Sequence, residues 1–70
     1  MERFWEVDGT QLRRLRRAHV FSQRELARLT GIAQDTISEL ETGKREAQPR
    51  TIRKLAEALG VEPSALMKEE

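Results

Sequence analysis

The amino-acid sequence predicts an all-α fold, a single compact domain of five short helices spanning residues 1–70. Three observations lead there. Apolar residues recur at three- and four-residue intervals, the spacing of one helix face, and nowhere alternate as a half-buried strand requires. Residues that start helices (Asp8, Ser22, Pro49, Pro63) and glycines that stop them (Gly31, Gly43, Gly60) punctuate the chain at matching points. Finally, two of the helices have only Gly31–Ala33 between them, so they must cross steeply rather than lie antiparallel.

The first helix is expected over residues 9–18. Asp8 with Gln11 three residues on has the form of a capping box, and Leu12 and Leu15 then repeat on one face, with Val20 and Phe21 closing the segment. Ser22 and Glu25 open the second helix as a Ser-x-x-Glu capping box, in which each side chain accepts from the other residue's backbone N–H. Phe21 and Leu26 have the spacing of a hydrophobic staple. Leu26, Ala27 and Leu29 form the apolar stripe, which leaves Gln23, Arg24, Glu25 and Arg28 outward. The third helix is expected over roughly residues 34–41 and buries Ile37 and Leu40, with Ile32 just ahead of it. Together the second and third helices occupy residues 23–42, and Ala27, facing the turn, is small enough to let them approach.

Pro49 suits the first position of a fourth helix, on which Ile52, Leu55, Ala56 and Leu59 make an i, i+3, i+4, i+7 stripe. Pro63 likewise suits the start of a short fifth helix carrying Leu66 and Met67. Residues 68–70 form a charged, frayed tail, and residues 1–7 an N-terminal arm with Phe4, Trp5 and Val7.

Composition excludes several function classes. Without cysteine there is neither a disulfide framework nor a Cys-based zinc site, and the single His19 cannot build a metal centre or a catalytic dyad alone, so no cofactor, small-molecule substrate or enzyme activity is implied. Mean hydropathy is −0.70. No apolar run approaches the roughly 20 residues that span a bilayer, and no signal-peptide pattern stands at the N-terminus, so a cytoplasmic protein with no membrane partner is expected. Net charge is +1, but the sign alternates in blocks: −2 over residues 1–10, +5 over 11–30, −3 over 31–42, +4 over 43–54 and −3 over 55–70. The two positive blocks flank the third helix, where a protein needs them to grip the phosphate strands on either side of a groove.

These residues together resemble the XRE-type helix-turn-helix family, the group of phage repressors and Cro. The resemblance rests on Leu12-Arg13-Arg14-Leu15-Arg16, Ser22-Gln23-x-Glu25-Leu26-Ala27 and Gly31-Ile32. It continues through Thr36-Ile37-Ser38-x-Leu40-Glu41-x-Gly43-Lys44-Arg45 and Leu55-Ala56-x-Ala58-Leu59-Gly60-Val61, and so covers nearly the whole chain. It implies a five-helix repressor-like DNA-binding domain whose third helix enters the major groove of double-stranded DNA, and a transcriptional regulator that binds as a homodimer.

Carried over residue by residue, the resemblance places Gln34 at the leading base-contact position, where a glutamine amide can bond N6 and N7 of adenine. Asp35, Ser38 and Glu39 share that outward face, opposite Ile37 and Leu40, and a carboxylate there can accept from the N4 amino group of cytosine. Gln23, Thr36, Lys44, Arg45 and Arg50 are the expected phosphate contacts, which position the domain without reading sequence. Arg16 and Glu41 are expected to pair and tie the first helix to the third. His19 is expected to meet the carbonyls at the end of the first helix.

The chain departs from the family pattern in three places. Val20 stands where the family usually has glycine, so the first helix must end without an inexpensive left-handed residue or place the strain on His19. Ala33 replaces the usual serine cap of the third helix, at a cost of about 1 kcal/mol if nothing else serves its N–H groups. The aromatic arm precedes the usual start of the fold. Asp35 and Glu39 put acid on the reading face, which favours an alternative: a protein-interaction module of the same fold, such as an antitoxin or regulatory partner.

Overall fold

A computed structural model describes residues 3–68. Four α-helices follow in order: α1 (Gly9–Ala18), α2 (Gln23–Thr30), α3 (Gln34–Glu41) and α4 (Pro49–Leu59). The expected fifth helix is instead a single 3-10 turn, Pro63–Leu66, so the five-helix expectation is corrected to four α-helices and this turn. The backbone beyond the turn is committed elsewhere: Leu66 O accepts from Asp8 N at 2.8 Å, and Lys68 N donates to Glu6 O at 3.1 Å. Met67 is therefore drawn into an extended bridge with Val7 and cannot continue a helix.

The N-terminal arm belongs to the fold. Trp5 and Ala47 exchange both backbone hydrogen bonds, at 2.8 and 2.9 Å, and Val7 enters the core, while Phe4 stays exposed. Met1 and Glu2, with Glu69 and Glu70 of the expected tail, lie outside the described residues. No strand forms among the described residues; the two bridges are isolated.

Leu12 of α1, Leu26 of α2, Ile37 and Leu40 of α3, Ile52, Leu55, Ala56 and Leu59 of α4, and Leu66 of the 3-10 turn meet in one core, joined by Val7 and Ala47. Leu29 does not join it. Expected on the apolar stripe, it is 57 % exposed. It lies over a shallow groove between α2 and α4 whose α4 wall, Lys54, Glu57 and Ala58, is too polar or too short to cover it.

The local signals explain the helix ends. Ser22 and Glu25 complete the reciprocal capping box at 3.0 and 3.1 Å. Asp8 completes only half of its own: its carboxylate accepts from Gln11 N at 3.1 Å, but its N–H goes to Leu66. At the end of α1, the helix closes without an inexpensive left-handed residue, and the strain does not fall on His19, whose φ is −88°. Val20 itself takes the left-handed conformation, φ 58°, donating to Arg17 O while Phe21 N donates to Arg16 O, with its side chain 85 % exposed. The same pair of bonds closes α3 and α4, but there Gly43 and Gly60 occupy the left-handed position. His19 reaches past its own helix: its Nε2 lies 2.8 Å from Leu59 O at the end of α4, and its ring stacks on Phe21.

Gly9 is a requirement that the sequence pattern did not reveal. A Cβ there would collide with the backbone of α3 at Leu40 and Glu41, so the start of α1 and the end of α3 are in backbone-to-backbone contact. That contact sets the height of α3 against α1.

Candidate nucleic-acid interface

Helix α3 buries Ile37, Leu40 and Glu41 on one side and turns Gln34, Asp35, Ser38 and Glu39 away from the core, as an eight-residue helix with a 3.6-residue repeat must. Gln34 and Asp35 are exposed, whereas Thr36, Ser38 and Glu39 are half-buried. The helix follows Ala33, which supplies no side-chain cap, so its first N–H groups are unserved by a capping side chain. Asp35 in this first turn is favourable to the helix dipole.

Behind this face sits a buried polar cluster. The Glu41 carboxylate, fully buried, accepts from Arg16 Nε at 2.6 Å and Arg16 Nη2 at 3.0 Å, the parallel two-bond arrangement that suits guanidinium and carboxylate. Gln23 Nε2 donates to the same carboxylate at 3.1 Å and Arg13 Nε at 3.5 Å, and Arg16 Nη1 donates to Phe21 O at 2.9 Å. Burial by itself pushes the Glu41 carboxyl up, but the hydrogen bonds from Arg16, Gln23 and Arg13 and the charge of Arg16 outweigh it and hold the group below its ordinary value. The hydrogen bond and charge of Glu41 in turn raise Arg16 against its own desolvation. Helices α1, α2 and α3 each contribute a side chain to this cluster. Arg13 and Gln23 join this cluster without a sequence signal: their Glu41 partner lies 28 and 18 residues away, and the resemblance that points Glu41 to Arg16 implies neither of them.

The basic residues flank α3 as the charge blocks suggested, but they are not equivalent. Lys44 is exposed in the loop after α3. Arg45 folds back onto the helix, its Nη1 donating to Thr36 Oγ1 at 3.1 Å and Glu39 Oε1 at 3.2 Å. Arg50 is exposed in the first turn of α4, which starts at Pro49 without a side-chain cap. Thr36, Arg45, Gln48 and Thr51 line one concavity beside α3, with Phe4 of the arm at its edge. Gln23, expected at phosphate, turns its amide inward to Glu41 while the residue stays half-buried at the start of α2.

Two short helices crossing over Gly31–Ala33, the second buried on one side and polar on the other, define a helix-turn-helix domain. The chain belongs to the helix-turn-helix family HTH_3, whose model matches residues 12–66. It is 48 % identical over 60 residues to the uncharacterized HTH-type transcriptional regulator RghRB of Bacillus subtilis (strain 168), a match that covers 84 % of this chain and 43 % of that relative. The chain thus spans less than half the length of this curated relative. Among solved structures, the restriction-modification controller protein C.AhdI from Aeromonas hydrophila is similar at a TM-score of 0.80 with 41 % identity, covering 84 % of this chain and 89 % of that one. The P22 c2 repressor, solved in complex with the synthetic operator 9T, is similar at a TM-score of 0.83 with 25 % identity, covering 91 % and 97 %.

Proposed function

We propose that this domain is a DNA-binding transcriptional regulator, not an enzyme, that works in the cytoplasm by occupying an operator with α3 in the major groove. The observation that carries the reading is the division of α3 itself. Its buried side is tied to α1 and α2 through Glu41, so the polar side is held rigidly outward between two basic segments, as a groove-reading helix needs. In this reading Gln34, Asp35 and Ser38 meet base edges, Gln34 taking adenine through its amide. Lys44 and Arg50 grip phosphates, as does the start of α2 at Gln23, whose exposed turn carries partial positive charge. Glu39, pointed at a cytosine amino group by sequence, has its carboxylate engaged by Arg45 and takes a different role, argued below.

The domain acts as a homodimer on a pseudo-palindrome with half-sites about one helical turn, roughly 34 Å, apart. The architecture shared with a repressor solved on a synthetic operator supports operator binding, and the dimer is what the resemblance to the phage-repressor family implies. A selection of bound sequences from a random duplex library tests DNA binding, symmetry and spacing together. An enriched motif with two inverted halves is expected. Recovery of no motif at either low or moderate salt would remove the reading and leave the protein-interaction module, which the exposed Phe4, Val20 and Leu29 side chains favour.

A further inference from the structure

We propose that Arg45 is a base-reading residue, held over the exposed face of α3 by Glu39 and Thr36, and that the base it takes is guanine; this rests on the DNA-reading function above. The family resemblance implies a phosphate contact for Arg45, in the loop after α3. The loop, however, turns back at once: Lys44 N donates to Glu39 O at 2.8 Å, which sets the next residue alongside α3. Thr36 and Glu39 stand one helical turn apart, so their side chains are neighbours, and both accept from the same guanidinium nitrogen, Nη1. The guanidinium is thus fixed against α3 across Thr36 and Glu39, next to the outward-facing Asp35 and Glu39, rather than left free in the loop.

The bonding leaves a specific edge open. With Nη1 engaged by the two helix side chains, Nε and Nη2 carry no hydrogen bond to any described residue. These two parallel donors match the O6 and N7 acceptors that guanine presents in the major groove. An arginine held in place before binding also loses less rotamer freedom on reaching its base. A phosphate role suits the same geometry poorly. The positive charge is already balanced by Glu39, and bringing the pair to the backbone would bring a carboxylate against phosphate. Both side chains of the pair are 47 % exposed, so it adds little to stability and its value lies in orientation. It also accounts for acid on the reading face: Glu39 is a positioning residue, with its charge turned to Arg45.

The experiment starts from the site selected by the wild-type chain. Affinities of wild type, Arg45→Ala and Glu39→Gln are measured by fluorescence anisotropy against that duplex, against versions with each G·C pair replaced by A·T, and against a scrambled duplex. For Arg45→Ala we expect discrimination at one G·C pair per half-site to fall about tenfold or more, with little change on the scrambled duplex. For Glu39→Gln we expect the same guanine preference to weaken while the scrambled duplex binds more tightly, because a negative charge is lost without loss of a cation. Two results overturn the proposal. One is an equal loss on selected and scrambled duplexes with the salt slope lowered by about 0.9 for Arg45→Ala, the mark of a phosphate contact. The other is a Glu39→Gln variant that exchanges a cytosine preference for another base while guanine discrimination stands. A wild-type chain that selects no sequence overturns the DNA reading itself, a failure distinct from either.

Discussion

Arg16 of α1 and Glu41 of α3 are joined through two parallel hydrogen bonds, with the carboxylate wholly out of solvent and the guanidinium nearly so. The pair is the main polar tie between the helix that faces outward and the helix that anchors it. Its energetic importance lies less in the attraction than in what is left when one member goes. A buried charge without its partner costs several kcal/mol, whereas a matched pair only roughly offsets its own desolvation.

Glu41→Ala is therefore expected to destabilise the domain by about 3 kcal/mol, leaving Arg16 charged and buried. Replacing both, Arg16→Met with Glu41→Leu, is expected to recover much of that loss in urea unfolding. A double variant no more stable than Glu41→Ala would show that the pair contributes more than it costs.

The same carboxylate sets an acid limit. Its folded value lies below its unfolded one, so the unfolded chain binds more protons, and the stabilisation is fully present above the ordinary carboxylate range. It is lost as pH falls through that range toward the lowered folded value. Urea midpoints measured from neutral pH downward are expected to hold with respect to this group and then drop. Glu41→Gln, less stable at neutral pH, is expected to show a shallower acid limb; parallel limbs would remove Glu41 as the cause.

Gly9→Ala tests the contact between α1 and α3. Alanine favours a helix over glycine by about 1 kcal/mol, but here the added methyl meets main-chain atoms of Leu40 and Glu41 that cannot rotate away. The clash is expected to win, with a net loss of about 1–3 kcal/mol in chemical denaturation. A neutral or stabilised variant would mean that the two helices separate without penalty.

Val20→Gly is expected to act in the opposite direction. A β-branched residue in the left-handed region costs roughly 1–2 kcal/mol, and glycine returns about half of that in unfolded-chain entropy. Because the valine side chain is almost wholly exposed, nothing is lost from the core. A rise of a few degrees in Tm is expected in a domain of this size, where about 1 kcal/mol corresponds to roughly 4–8 °C. A fall would show that the side chain is covered in solution.

Gln34→Ala and Lys44→Ala separate reading from grip. The first is expected to relax preference at one adenine-containing position by about 1–3 kcal/mol, and the second to weaken all duplexes alike and lower the salt slope by about 0.9. Affinity titrations at a series of salt concentrations against selected and scrambled duplexes distinguish the two. Equal behaviour of the two variants would remove the division of labour.

The four α-helices were legible because their signals are local. The Ser22–Glu25 box, the left-handed Gly31 and the Ile52–Leu59 stripe lie within a few residues of what they control, so chain order alone exposes them. The fifth helix was misjudged because Pro63 marks a helical start but says nothing of how far it runs. Its length was decided by Glu6 and Asp8, which claim the backbone of Leu66 and Lys68 from the other end of the chain.

What the sequence by itself determined is the bounds of the four α-helices and which side of α3 turns outward, which follow from residue spacing over one or two helical turns, and the family, which follows from resemblance of motifs over nearly the whole chain. Beyond the local caps and the Arg16–Glu41 pair that the resemblance implies, the tertiary structure alone decided which partners the polar groups find. Gln23 turning to Glu41, Arg45 folding over Glu39 and Thr36, and Gly9 pressing on the end of α3 depend on where separate helices meet. Long side chains choose among partners by distance in space, to within an ångström or so, and no spacing along the chain encodes that distance.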